Sequence, residues 1–181
     1  MDEQKWTRLS AQTVYAGRTT IREHTVALPD GTPGRYEVDE SVPFGAAVLI
    51  RDGDDILLSH QYRFPLDRWI LDLPGGAGDV GEHPAEAARR EAVEELGIVA
   101  GDLTHLQVFY PNPGRSAWPV HLFFAEAAAT LAPKLDDPFE QVRCRRIPIA
   151  DLAALVAGGE IVDPSLLIAW HTAVARGLLV R

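Results

Sequence analysis

Three glutamates, Glu91, Glu94 and Glu95, sit close together in a stretch from Pro84 to Leu96 that is rich in Ala and Glu and has no internal Gly or Pro. Pro84 stands where a first helical residue is tolerated and Gly97 where a helix can stop, so the pattern predicts a helix over Pro84–Leu96. At about 3.6 residues per turn, Glu91 and Glu95 are i, i+4 neighbours and Glu94 is i+3 from Glu91. Three carboxylates therefore share one face. Like charges at that spacing destabilise an isolated helix, so the arrangement makes most sense if a hard divalent cation, Mg2+ or Mn2+, neutralises it. Ala88, Ala92 and Leu96 form an adjoining apolar stripe that would seat the helix on a sheet and leave the carboxylates at the rim. Arg90 is placed to hold a carboxylate by a bidentate contact rather than to bind substrate. Glu82 either binds an additional metal or orients the preceding loop. A solvated acidic helix with surface ion pairs is the plain alternative. Against it stands the run Gly75-Gly76-Ala77-Gly78, between a predicted strand Trp69–Leu73 and the helix, whose tight backbone path can turn a carbonyl toward the same metal.

Gly76, Glu82, Arg90, Glu91, Ala92, Glu94, Glu95, Gly97 and Ile98 fit the pattern GX5EX7REUXEEXGU, with U aliphatic. At roughly 7% for each required residue type, its seven fixed identities coincide by chance about once in 10^8 starting positions. The pattern is that of the Nudix box, and the chain resembles the Nudix hydrolases over most of its length. The resemblance implies metal-dependent hydrolysis of the diphosphate bridge of a nucleoside diphosphate derivative. It also implies more than one metal ion, held by the Gly75 carbonyl with Glu91, Glu94, Glu95, Glu82 and Glu140. Glu94, Glu95, Glu140 and Asp137 are the expected catalytic groups, with Asp136 and Asp137 the nearest candidates for the general base.

Within that family the chain looks most like the ADP-ribose pyrophosphatases, which implies AMP and ribose 5-phosphate as products. Gln61-Tyr62-Arg63 precedes Leu71-Asp72-Leu73-Pro74-Gly75-Gly76, Pro113 follows the box in Tyr110-Pro111-Asn112-Pro113-Gly114, and the tail carries Phe139-Glu140-Gln141-Val142 and Ala157-Gly158-Gly159-Glu160-Ile161. Arg63 is the expected phosphate ligand, while Arg115 and Ser116 are candidates for phosphate or sugar. Where those enzymes commonly carry a glutamate after the proline, this chain has Trp118, a candidate for stacking on a base or for packing on the core. Another nucleoside diphosphate sugar as substrate, or a Nudix module that senses a nucleotide without cleaving it, are the alternatives.

Positioning these residues requires a framework. The chain of 181 residues with 46% hydrophobic and 24% charged residues is long enough for one domain with its own core. Strands are expected at Gly45–Ile50 and Ile56–Tyr62 as a hairpin, then near Leu106–Tyr110, Val120–Ala125 and Val142–Ile147, with helices near Ala150–Ala157 and Pro164–Ala175. Together with the resemblance this predicts an α/β fold, a Nudix α/β/α sandwich on a mixed sheet spanning residues 42–181. Residues 1–41, with β-prone stretches such as Thr13-Val14-Tyr15 and Ile21–Leu28 broken by a turn from Pro29 to Gly34, predict a small N-terminal antiparallel β-sheet. A sheet of that size cannot bury its own apolar residues. Related enzymes use this segment across a twofold interface, which predicts a homodimer in which Tyr36 or Arg35 reaches a base in the partner's pocket.

The net charge of −9 argues against a nucleic-acid or anionic-membrane partner. The expected partner is a small-molecule substrate. No signal or membrane-spanning run is apparent, and the one cysteine, Cys144, excludes an intrachain disulfide, so the expected setting is the cytoplasm. Cys144 is expected to be an inert packed thiol, and none of the six histidines falls at a ligand spacing.

Overall fold

A computed structural model describes residues 4–132 and 141–179. The first three strands, β1 (Thr7–Ala16), β2 (Thr20–Ala27) and β3 (Pro33–Asp39), form an antiparallel sheet in the order β1-β2-β3. Asp30 accepts the Thr32 N–H at 2.9 Å and Gly31 takes φ +85, which closes the β2–β3 turn. β3 starts at Pro33, inside the segment expected as turn, because only the first residues of that segment are needed to reverse the chain.

The larger sheet contains β4 (Gly45–Asp52), β5 (Asp55–Arg63), β6 (Arg68–Asp72), β7 (Gly75–Ala77), β8 (Ile98–Ala100), β9 (Thr104–Phe109), β10 (Val120–Thr130) and β11 (Val142–Pro148). Its path runs β11-β5-β4-β10-β8, with β6 on β5, β7 on β4 and β9 on β10. β4 and β10 pair in parallel and the remaining pairs are antiparallel, so the sheet is mixed. Successive side chains of a strand point to opposite faces, and both faces are apolar here. Val48 and Ile50 face α1 (Pro84–Leu96) through its Ala87, Ala88, Ala92 and Leu96. Leu49, Leu58, Leu122 and Phe124 face α2 (Ile149–Ala157) and α3 (Pro164–Ala175) through Leu152, Leu166, Ala169 and Trp170. The result is the expected three-layer α/β/α sandwich with a small added sheet. Among the described residues no helix is long and apolar enough to cross a membrane.

α1 and α3 start where predicted because each begins with Pro behind a capping residue, and α1 also ends where predicted because of Gly97. Each has Pro at its start, and Gly97 after α1 adopts φ 67, a conformation that favours glycine. Two differences matter. The glycine run expected as a loop is the short strand β7, laddered to Ala46 and Ala47 of β4. Cys144, expected to be packed inside, is exposed on β11, the strand at one end of the sheet path. Local desolvation still pushes its thiol above the usual range, despite Arg146 nearby, so it stays a poor nucleophile.

Candidate active site

The glycines of β7 set the geometry of the site. A Cβ on Gly75 would lie 2.5 Å from Ala46 O and from the Ala47 Cβ, and a Cβ on Gly76 would lie 2.6 Å from Glu91 Oε1. Only a backbone without side chains can run between β4 and the glutamate face of α1 this closely. That places the β7 backbone at Gly76 beside the Glu91 carboxylate.

On α1 the acidic groups are held differently from one another. Arg90 is their hub: Nε and Nη2 donate to the two oxygens of Glu82 at 3.0 and 3.2 Å, and Nη1 donates to Glu91 at 2.8 Å and to Glu94 at 2.9 Å. Its remaining donor reach goes to Ala77 O of β7 at 3.2 Å. The bidentate contact expected of Arg90 is thus present, with Glu82 as partner. These carboxylates drive the guanidinium still further toward its charged form, and the Arg90 hydrogen bond in turn holds Glu82 below the usual carboxylate range. Glu82 also accepts the Asp79 N–H at 2.9 Å, pinning the loop between β7 and α1. Glu95 is only 6% exposed and accepts the Ser59 hydroxyl of β5 at 2.5 Å. Ser59 carries no motif, and its role emerges only once β5 is laid under α1.

Among the described residues no three carboxylate, imidazole or thiolate groups already close around one point. The donor set nevertheless suits a hard cation: oxygen ligands on one helix face, a glycine backbone against them, and no soft donor between.

Next to β7 lies a cleft of about 600 Å³. Its floor is Gly45–Ala47 and Gly75–Ala77, and its walls include Arg63, Asp72, Trp118 and Asp163. Arg18, Thr19, Asp39 and Ser41 of the N-terminal region close the far side. Arg63 ends β5 and forms an ion pair with the buried Asp72. Asp72 also accepts the Leu73 N–H at 2.8 Å. Asp163 caps α3 by accepting the Leu166 N–H at 2.7 Å. Burial and the neighbouring Asp72 push its carboxyl up to about 7. Asp72 stood in the sequence only as part of the run from Leu71 to Gly76, with no role of its own, and nothing marked Asp163 or Arg18; the three reach one cleft only through the packing of β6, α3 and the β1–β2 turn.

The expected site residues thus divide. Gly75, Arg63 and Trp118 line the cleft, and Glu91 abuts its floor at Gly76. Trp118 also packs against the core, and its buried indole Nε1 has no hydrogen-bond partner among the described residues. Arg115, Ser116 and Tyr36 lie elsewhere, in a groove of about 280 Å³ between β3 and the 113–117 segment, with Trp6 and Arg8. Ser116 spends its hydroxyl on Asn112 O, and Tyr36 donates to Gly114 O of its own chain at 2.6 Å. Glu140, Asp137 and Asp136 lie outside the described residues.

Residues 42–167 match the NUDIX domain family. The chain is 31% identical over 157 residues to an ADP-ribose pyrophosphatase of Bacillus subtilis (strain 168), covering 86% of this chain and 85% of that one. It is 30% identical over 147 residues to a GDP-mannose pyrophosphatase of Yersinia enterocolitica, covering 75% of each. Among solved structures it is similar to that titled "Crystal structure of ADP compounds hydrolase", with TM-score 0.77, 25% identity and 98% of both chains covered. The chain belongs to the Nudix family and is a Nudix hydrolase, with pyrophosphatases of ADP-ribose and nucleotide sugars among its relatives. Enzymes of this family generally use divalent metal ions.

Proposed function

We propose that this enzyme hydrolyses the diphosphate bridge of ADP-ribose to AMP and ribose 5-phosphate. The observation that carries the reading is the close approach of Gly76, where a Cβ would collide with the Glu91 carboxylate, which joins the glutamate face of α1 to the floor of a cleft containing Arg63. Glu91, Glu94, Glu95 and the Gly75 carbonyl, with Glu82 and Glu140 as further candidates, would hold Mg2+ or Mn2+, more than one ion per site. Bound there, the metal supplies charge neutralisation on the diphosphate and a water of lowered pKa. The protein's part is positional. Ser59 fixes the Glu95 rotamer, Arg90 holds Glu82, Glu91 and Glu94 as a preassembled group, and Arg63 offers guanidinium N–H donors to a phosphate oxygen. Glu94, Glu95, Glu140 or Asp137 takes the proton of the attacking water.

ADP-ribose is favoured because it is the substrate named for the Bacillus relative. GDP-mannose, named for the Yersinia relative, is the second reading, since the metal face recognises a diphosphate and not its substituents. Incubating the protein with Mg2+ and a panel of ADP-ribose, GDP-mannose and other nucleoside diphosphate sugars, with chromatography of products, separates them. The expected outcome is AMP released fastest from ADP-ribose. GMP from GDP-mannose as the dominant product would replace the first reading by the second.

The same proposal includes a homodimer in the cytoplasm. All ten residues of β1 are exposed, including Leu9, Val14 and Tyr15, along an unpaired edge that invites a second copy of the chain. Residues 1–41 would be the dimerisation segment. Tyr36, half-exposed at the β3 groove, would then serve the base of a substrate bound between copies, with Arg115 and Ser116 shaping that groove. Sedimentation at micromolar concentration should give a dimer, and a well-behaved monomer would refute it.

A further inference from the structure

Arg63 stands between two cavities. It lines the cleft whose floor is β7, and it also lines an outer hollow of about 270 Å³ with Pro65, Leu66, Ile70 and Val162. Its side chain is long, flexible and 44% exposed, so its own packing does not decide which of the two the guanidinium serves. Its partner does. Arg63 pairs across the β5–β6 ladder with Arg68, whereas Asp72 pairs with Ser59, four residues back along β5. To meet Asp72 the Arg63 side chain must run back along the strand, and Nη2 does donate to Asp72 Oδ2. The other oxygen, Oδ1, accepts the Leu73 N–H at 2.8 Å, which fixes the orientation of the carboxylate. Asp72 is buried, so this pair is shielded from solvent, whereas Arg146 and its partners Asp52 and Asp55 remain open to it.

We infer that Asp72 is a positioning residue: it anchors one nitrogen of the Arg63 guanidinium so that the other N–H groups serve the cleft and its diphosphate, and not the outer hollow. The inference rests on the diphosphate-hydrolase reading above. Asp72 does not touch the substrate. A guanidinium carries its N–H donors in a planar fork, and a contact at Nη2 alone leaves the remaining donors for the oxygens of a phosphate. The anchor also restricts in advance a side chain that would otherwise lose its freedom on binding. Charge by itself predicts the opposite effect. A carboxylate beside the cleft repels a diphosphate, so its removal would tighten binding if Asp72 did nothing for Arg63.

Asparagine has nearly the shape of aspartate but one acceptor oxygen, which cannot serve both Leu73 and Arg63. Asp72→Asn should therefore raise KM for ADP-ribose, or for whichever panel substrate is turned over fastest, about tenfold with kcat little changed. Made in the Arg63→Ala background, the same substitution should leave KM where Arg63→Ala puts it, because the group that Asp72 aims is gone. An equal rise in both backgrounds, or a parental or lowered KM in Asp72→Asn, overturns the inference while leaving the hydrolase reading standing. If Asp72→Asn does not fold, a crystal structure of the parent with α,β-methylene ADP-ribose decides the matter. Arg63 should then contact a phosphate oxygen with Nη2 still on Asp72, and a guanidinium turned into the outer hollow or detached from Asp72 overturns the inference. Absence of turnover of every panel member by the parent fails the hydrolase reading itself, and the positioning role with it.

Discussion

The glutamate face of α1 and the Arg63–Asp72–Asp163 corner lie on either side of the same glycine strand, yet they are built in opposite ways. The first is contiguous: one helix with a preceding glycine run carries Gly75, Gly76, Glu82, Arg90, Glu91, Glu94 and Glu95. The second is assembled from the end of β5, the end of β6 and the cap of α3, residues far apart in the chain. Chemistry that depends on helical spacing can be read directly from a sequence. Chemistry that depends on which strand lies beside which cannot, because no local pattern records a tertiary contact.

The contrast predicts that charge loss at the two places has different consequences. Glu95→Gln keeps an acceptor for Ser59 and nearly the same shape, so the fold should survive while turnover at saturating metal drops by at least about 10^2. Parental turnover in this variant would remove Glu95 from the metal face. Arg63→Ala should act mainly on KM, raising it about 10- to 100-fold, the worth of a charge-assisted hydrogen bond of about 1.5–3 kcal/mol. A drop in kcat alone would mean that Arg63 serves the reaction and not binding.

Adjacent glycines give a finer discrimination. Gly75→Ala drives a Cβ into Ala46 O and Ala47, atoms that belong to the sheet, and should cost about 1–3 kcal/mol of stability in denaturant titration. Gly76→Ala meets only the end of the Glu91 side chain, which can swing away. That change should leave the melting temperature nearly unaltered and weaken metal affinity in isothermal titration. Equal effects of both substitutions on stability would mean that Glu91 is as rigid as the β4 backbone.

Stability should respond to pH in the corner as well. Asp163 is raised to about 7 in the fold, above the ordinary carboxyl value of an unfolded chain, so its protonated form favours folding. Its contribution is complete below about pH 4 and fades as pH climbs to about 7. The melting temperature of Asp163→Asn should therefore lose that downward trend across the window, and an unchanged slope would show that Asp163 ionises freely.

The difference in legibility follows the same physical line. Both ends of α1 and the start of α3 could be placed from Pro, Gly and the capping residues because each helix end is a local event. The alternating strands β4 and β5 were visible, but β7 was not, since its three residues are held by laddering to β4 and not by any strand propensity of their own. Ser59, Asp72 and Asp163 are ordinary residues at ordinary positions, given a role only by neighbours. Tyr36 and Arg115 were foreseen as substrate groups; in the fold they line a separate groove, with Tyr36 tied to Gly114 O, because β3 docks on the segment after Pro113.

The metal face is the centre of this account, and removal of metal tests it most directly. Initial rates of ADP-ribose hydrolysis should be measured on chelator-treated protein while Mg2+ is added back. The account predicts no AMP release without metal and a saturable return of activity as Mg2+ rises. A rate independent of chelator and of added Mg2+ or Mn2+ would contradict it.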